Sequence, residues 1–300
     1  MTARIERTAA GDIEVEERGS GTPVLVMHGS PGGIDAARVM GEFLPEDRFR
    51  SIALSRPGYL GTPLGADDSS IDHEADLLAA LLDRLGVEQT GVLAWSGGGP
   101  AAYRLAVRHP ERVTSLVAVA AVSARWVAPA PSASERFLFG TRAGQRLTAL
   151  LARRSPARLI EGALAGEGSV RGEELKALAA EVLADPVQRA AVLAFATTVG
   201  TTGRRRAGWQ NDVVNFAAID SLELGRVRCP VLLIHGDADT DAAIDFSHSA
   251  RAALTESRLI VMHHGTHLAF YAHPNAADAQ DEARTFLAAN AAGTPGSAGR

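Results

Sequence analysis

The sequence predicts an α/β fold: a mostly parallel central sheet flanked by helices, with one helical segment inserted between strands. Three observations carry this. Short apolar runs closed by glycine or proline alternate with helix-spaced segments through the first 120 residues. From Arg125 to Phe216 the alternation lapses, and helical stretches follow one another without a clear strand. It resumes at Val231 and continues to Ala289. Such alternation marks parallel strands, because a parallel pair needs a long crossover that a helix supplies.

The elements follow in order. Ile13 to Glu17 alternates apolar and acidic residues, as a half-exposed strand does. Pro23 to His28 is a continuous apolar run closed by Gly29, the pattern of a strand buried on both faces. Ile52–Leu54 is another, ended by Arg56-Pro57-Gly58. Between Ile71 and Leu85, Ala75, Leu78, Leu82 and Leu85 recur at helical spacing, and Gly86 stops the helix. A strand at Gly91–Ala94, a helix at Pro100–Arg108 and a strand at Val113–Val119 come next. Inside the insertion, Asp185-Pro186 pairs an N-cap side chain with a proline in the first turn, where its missing N–H is harmless. Strand Val231–His235, a helix from Ile244, strand Leu259–Met262 and helix Ala276–Ala289 complete the pattern. Residues 1–124 and 217–290 are expected to form the core and 125–216 a helical cap, with 291–300 a flexible tail rich in Gly, Ala, Pro and Ser.

Composition narrows the function. With 300 residues, 46% hydrophobic and 22% charged, the chain reads as an ordinary soluble globular protein. A net charge of −5 and a pI near 6.0 argue against nucleic acid as the main partner. Arg204-Arg205-Arg206 is the one dense basic run and reads as a solvated loop. The longest uncharged apolar run, Leu116–Val122, is too short to cross a bilayer, and Met1–Gly21 has no apolar core of a secretory signal. Cys229 stands alone, so it is expected to be a buried inert thiol. The expected partner is a small-molecule substrate in the cytoplasm, with no nucleic acid, no membrane, no cofactor and no metal. Oligomeric state has no signature.

The chemistry centres on Ser96, which ends the run Val92-Leu93-Ala94-Trp95 and precedes Gly97-Gly98-Gly99-Pro100. A serine between small residues at a strand-to-helix corner holds its hydroxyl clear of the backbone. A hydroxyl is a weak nucleophile and needs a base that is itself oriented by an acid. His267 lies past the last apolar strand, at the sheet edge where ligands bind in open α/β folds. His28 and His235 end apolar runs and read as local packing groups, and His109 as a helix terminator. For the acid, Asp237 and Asp239 both follow strand Val231–His235, while Asp241 and Asp245 read as surface or helix-capping groups. An oxyanion hole needs two fixed N–H donors. Gly97 supplies one directly after the serine, and the loop His28–Gly33 supplies the other through Ser30, since Pro31 has no N–H. His263, His264 and His267 form a histidine cluster, yet no carboxylate or fourth ligand stands at a recognisable metal spacing. Gly97–Gly99 lacks the Lys-Ser/Thr that a phosphate loop requires.

Five segments resemble the α/β-hydrolase superfamily. They are His-Gly-Ser-Pro-Gly-Gly at 28–33, Ser-Arg-Pro-Gly-Tyr at 55–59, Trp-Ser-Gly-Gly-Gly-Pro at 95–100, His-Gly-x-x-Asp at 235–239 and Gly-Thr-His at 265–267. Their order, serine then aspartate then histidine, is the α/β-hydrolase order. The resemblance implies the α/β-hydrolase fold, Ser96 as nucleophile, Asp239 as acid ahead of Asp237, and His267 as base. Two positions depart from the pattern: Ala94 replaces a usual glycine, and Thr266 stands where a second glycine often precedes the histidine. A serine nucleophile argues against haloalkane dehalogenases and epoxide hydrolases, which resemble this chain but use aspartate there. Trp95 before rather than after the serine weakens a proline-iminopeptidase reading.

The implied activity is hydrolysis of a carboxylic ester of a small to medium, partly apolar substrate through an acyl-enzyme. Lactone, thioester or carbon–carbon bond cleavage, acyl transfer and perhydrolysis use the same machinery, and a binding protein with slow hydrolysis is the rival from another class. In the cap, Phe137, Phe139, Leu147, Leu150, Leu151 and Phe195 are expected to form its core. Trp126 and Asn211-Asp212 are weaker pocket candidates.

Overall fold

A computed structural model describes residues 2–65 and 69–291. Its strands are β1 (Arg4–Thr8), β2 (Gly11–Gly19), β3 (Thr22–Met27), β4 (Phe49–Leu54), β5 (Thr90–Trp95), β6 (Val113–Val119), β7 (Val231–Gly236) and β8 (Ser257–Met262). They form one sheet in the order β1-β2-β4-β3-β5-β6-β7-β8. The first two pairings are antiparallel and all the others parallel. The continuous apolar runs of β5 and β7 are buried at every position, as strands covered on both faces must be. In β2 only Ile13 and Val15 are buried, which matches its alternation.

Helices α2 (Ile71–Arg84), α3 (Gly99–Arg108) and α10 (Asp245–Ala253) cover one face of the sheet. On the other lie α1 (Ile34–Gly41) and α11 (Ala276–Ala289). Each β3 residue picks a side by parity, Leu25 and Met27 facing the first layer, Val24 and Val26 the second. Between β6 and β7 come α4 (Ala133–Leu138), α5 (Arg142–Arg154), α6 (Pro156–Gly166), α7 (Gly172–Ala184), α8 (Pro186–Thr198) and α9 (Arg206–Ala217). The predicted start of α8 is present: the Asp185 carboxylate accepts the N–H groups of Val187 and Gln188. Among the described residues, no helix is long and apolar enough to cross a membrane. Cys229 is buried and free, and burial pushes its thiol up to about 12.

Several expectations need correction. β1 is unpredicted because its pattern is inverted: Ile5 is exposed while Glu6 is buried and paired with Arg4 and Arg84. Helix α1 is only eight residues long and leaves no sustained periodicity. Phe195 is buried as expected, but Leu147 and Leu150 are exposed because α5 turns Gly144 and Thr148 inward instead; Phe137 is exposed on α4, which buries no residue, and Phe139 and Leu151 are half-buried. Arg204–Arg206 is not simply solvated: Arg204 donates to Leu60 O, and Arg205 to Gly32 O and Asp35. Of the expected tail, residues 292–300 lie outside the described residues.

Candidate active site

Strand β5 delivers Ser96 to the sheet's C-terminal edge, and a 3₁₀ turn over Ser96–Gly98 leads into α3. Ser96 has φ 53, the left-handed region that a non-glycine residue enters at a cost of about 1–3 kcal/mol. Its surroundings hold it there. The Val122 N–H donates to Ser96 O at 3.0 Å. A Cβ on Gly98 would sit 2.7 Å from Met27 O and 2.9 Å from His28 O, so only glycine lets the turn press onto β3. Ala94 is fully buried and fits where glycine is usual.

The loops after β7 and β8 bring Asp239 and His267 together, with Asp239 Oδ2 2.6 Å from His267 Nδ1. Asp239 Oδ1 accepts the N–H groups of Asp241 at 2.8 Å and Ala242 at 3.0 Å. Burial works against the Asp239 charge, but His267 and His235 outweigh it and hold the carboxyl well below its usual range. Burial likewise opposes the imidazolium of His267, and Asp239, then Asp241 and Glu167, raise it above the ordinary histidine value. With Nδ1 engaged, Nε2 is the nitrogen left for proton exchange. Trp95 joins this pair to the serine corner. Its ring stacks on His267 with centroids 5.3 Å apart, and its indole N–H donates to His267 O at 3.3 Å.

Asp237 goes elsewhere, accepting from His263 Nδ1 and the His264 N–H at the surface. His235 bonds locally, as expected, with Nε2 donating to Ala242 O and Nδ1 accepting from Ser247, both at 2.7 Å, but Nε2 also lies 3.2 Å from Asp239 Oδ2. His28 is also local. Its Nδ1 donates to Gly29 O and its Nε2 accepts the Arg56 N–H, which fixes a neutral ring. Burial and then Arg56 push its pKa well down, in agreement.

Loop His28–Gly33 faces the corner from β3. Ser30 sits against Gly97 so closely that a Cβ on Gly97 would collide with Ser30 Oγ. Beneath it lies a buried ionic cluster. Arg56 donates to Glu74 at 2.7 and 3.2 Å and to Asp212 at 2.8 and 3.0 Å. Tyr59 donates to Asp212 at 2.6 Å, and Ser30 Oγ donates to the same carboxylate while accepting from Arg56 Nη1 at 3.0 Å. Burial opposes the Arg56 charge, but Asp212 and Glu74 hold its pKa well above the usual value.

The α/β-hydrolase-fold family model matches residues 22–274. The chain belongs to the α/β-hydrolase family. Among solved structures, an α/β-hydrolase-fold protein from Nakamurella multipartita is 43% identical, with a TM-score of 0.94 over 96% of this chain and 99% of that one. A curated relative, the uncharacterized hydrolase YcgS of Bacillus subtilis, is 27% identical over 276 residues, 89% of this chain and 93% of its own. An esterase from Thermogutta terrifontis has the same fold at 19% identity, with a TM-score of 0.68 over 97% of this chain and 100% of that one. The chain is thus an enzyme of the hydrolase class.

Two carboxylates stand beside His267 that no motif of the sequence placed there. Glu167, from the end of α6, accepts the His267 N–H on its carbonyl at 2.8 Å. Its half-buried carboxyl lies near Asp241 and His267, with donor atoms of the three within 4.8 Å of one another. Burial and Asp241 push the Glu167 carboxyl well up, so it holds a proton beyond the usual range. Asp241, read as a surface group, is therefore also a neighbour of the base. Glu167 and Asp241 come from different loops, so no local spacing betrays them. His263 and His264 are exposed and pair with Asp237 and Glu174, leaving only His267 of the histidine cluster inside. Among the described residues, Glu167, Asp241 and His267 are the set close enough to share a cation, which would compete for the base.

Thr266 has a packing role that the sequence did not disclose: Gly168 lies against its side chain, beside the bridge Gly168–Asp239. Trp126 donates to Asp241 O at 3.0 Å, and Asn211 to Ser69 O at 3.0 Å. A cavity of about 560 Å³ lies at the opposite end of the sheet between Val107, Arg226 and Thr255, away from all this chemistry.

Proposed function

We propose that the hydrolase cleaves a carboxylic ester of a small to medium, partly apolar substrate through an acyl-enzyme. Ser96 attacks the carbonyl, and His267 Nε2 takes its proton and returns it to the leaving alcohol. Asp239 holds the imidazole by Nδ1 and stabilises the imidazolium. The N–H groups of Ser30 and Gly97 bind the oxyanion, and water then releases the acid. Segment 125–216 serves as the cap that shapes the acyl and alcohol pockets. The observation that carries this reading is the 2.6 Å Asp239–His267 bond stacked on Trp95, the residue next to a left-handed serine.

The test is a series of nitrophenyl esters of graded acyl length, followed by rapid mixing. A burst of nitrophenol equal to the enzyme concentration, then steady turnover, is expected for the preferred length. Labelling of the serine without turnover of any ester or lactone would leave a binding protein in its place.

A further inference from the structure

Helix α9 carries one buried stripe, Gly208, Asp212 and Phe216, at the four-residue spacing that aligns side chains on one helical face. All three meet the catalytic core. Gly208 lies on the ring of Tyr59, where a Cβ would collide. Asp212 takes hydrogen bonds from Ser30 Oγ, Tyr59 and Arg56. Phe216 covers Gly97, with Cε2 3.1 Å from where a Cβ would stand. Just before the helix, Arg205 Nε donates to Gly32 O at 2.9 Å. Arg204 O accepts the Leu60 N–H, and the Gly208 N–H donates to Gly58 O, both at 2.9 Å.

We infer that Asp212 is a positioning residue for the oxyanion loop, so that the hole between Ser30 and Gly97 is set only while α9 is docked on the core. This rests on the acyl-transfer reading above. Loop His28–Gly33 is held by its own strand on one side and by α9 on the other. Ser30 is the point where the two meet: its backbone N–H faces the substrate carbonyl, and its hydroxyl is anchored in Asp212. A full negative charge beside an oxyanion site would oppose catalysis on its own. Arg56 resolves this by bonding both Asp212 and Ser30 Oγ, which places its positive charge at the back of the same loop.

The test combines kinetics and hydrogen exchange on the full chain. Asp212→Asn keeps the shape and leaves the Arg56–Glu74 pair. It is expected to lower kcat by about 10- to 100-fold, short of losing a donor outright, with KM changed little. The acid limb of the pH profile should stay in place, because Asp212 does not face His267. Ser30→Ala should lower kcat less, and the double variant should be no worse than Asp212→Asn alone. Independent, multiplying losses would overturn the inference. In the exchange arm, amides of residues 28–34 should open faster in Asp212→Asn, and to a smaller degree in Arg205→Gln, with β3 and β5 unchanged. Unaltered exchange of that loop in both variants would overturn the inference. That outcome is separate from the acyl-transfer reading, which fails if a fluorophosphonate does not attach to Ser96 of the unaltered enzyme.

Discussion

Two polar clusters flank Ser96, and they are built on opposite principles. On one side, Asp239, His267, Asp241 and Glu167 form a group in which, on the proposed mechanism, a proton moves. On the other, Glu74, Arg56, Asp212 and Tyr59 form a group whose guanidinium is charged at any working pH. The first joins the loops after β7 and β8 to the end of α6. The second is buried behind loop His28–Gly33 and bonds to it through Ser30. Both bring residues of the inserted segment, Glu167 and Asp212, against the core. On the proposed mechanism, one cluster therefore tunes a base, while the other fixes a backbone.

The largest expected effect falls on the proton-moving side. Asp239→Asn should lower kcat by about 10⁴-fold, since the ring loses its orienting partner and the favoured tautomer. Asp237→Asn should stay within about twofold, because Asp237 meets His263 and His264 at the surface. Equal losses would move the acid to Asp237. On the fixed side, Arg56→Met strands two buried carboxylates. Denaturant titration should show a loss of about 3–5 kcal/mol, the usual result of removing one partner from a buried pair. A loss under 1 kcal/mol would mean that the cluster is not the ionic anchor described here.

A smaller effect separates the clusters by pH. His267 is raised, so kcat/KM should climb with pH through a midpoint above the ordinary histidine value of 6.5. Asp241→Asn should move that midpoint down, and Glu167→Gln should do so less, because each removes a group that favours the imidazolium. Stability runs the other way. The raised His267 contributes stability present below pH 6.5 and lost as pH rises through its folded pKa. The depressed Asp239 contributes stability present above 3.8 and lost as pH falls through its own. Activity thus grows where the pair's contribution to stability begins to fade. A profile unmoved by either substitution would remove Asp241 and Glu167 from the account of the base.

The same contrast explains what was legible in the sequence. Ser96, Asp239 and His267 stood out because Ser96 directly follows buried β5 and the other two lie in the loops after β7 and β8, and strand ends place residues on a common edge. Spacing alone left Asp237 beside Asp239, since two residues of loop decide which carboxylate turns inward; only the family resemblance put Asp239 first. The sheet was legible wherever its strands are apolar throughout. It was missed at β1, where an acid is buried by ion pairing and the isoleucine faces water. Arg56 and Tyr59 stood in a noticed motif, yet their roles depend on Glu74 and Asp212, 18 and 156 residues from Arg56 along the chain. Only the stripe Gly208, Asp212, Phe216 carried a local signal, a charged residue centred on a helix face otherwise suited to packing. Glu167 had none, because it is brought to His267 by the ends of two separate segments.

The central claim is that the left-handed Ser96 is the nucleophile served by His267 and Asp239. Treatment with a fluorophosphonate, digestion and mass measurement of the peptides tests it most directly. The account predicts one adduct, on the peptide containing Ser96, absent in Ser96→Ala and formed far more slowly in Asp239→Asn. An adduct on another serine, or undiminished labelling of Ser96→Ala, would contradict it.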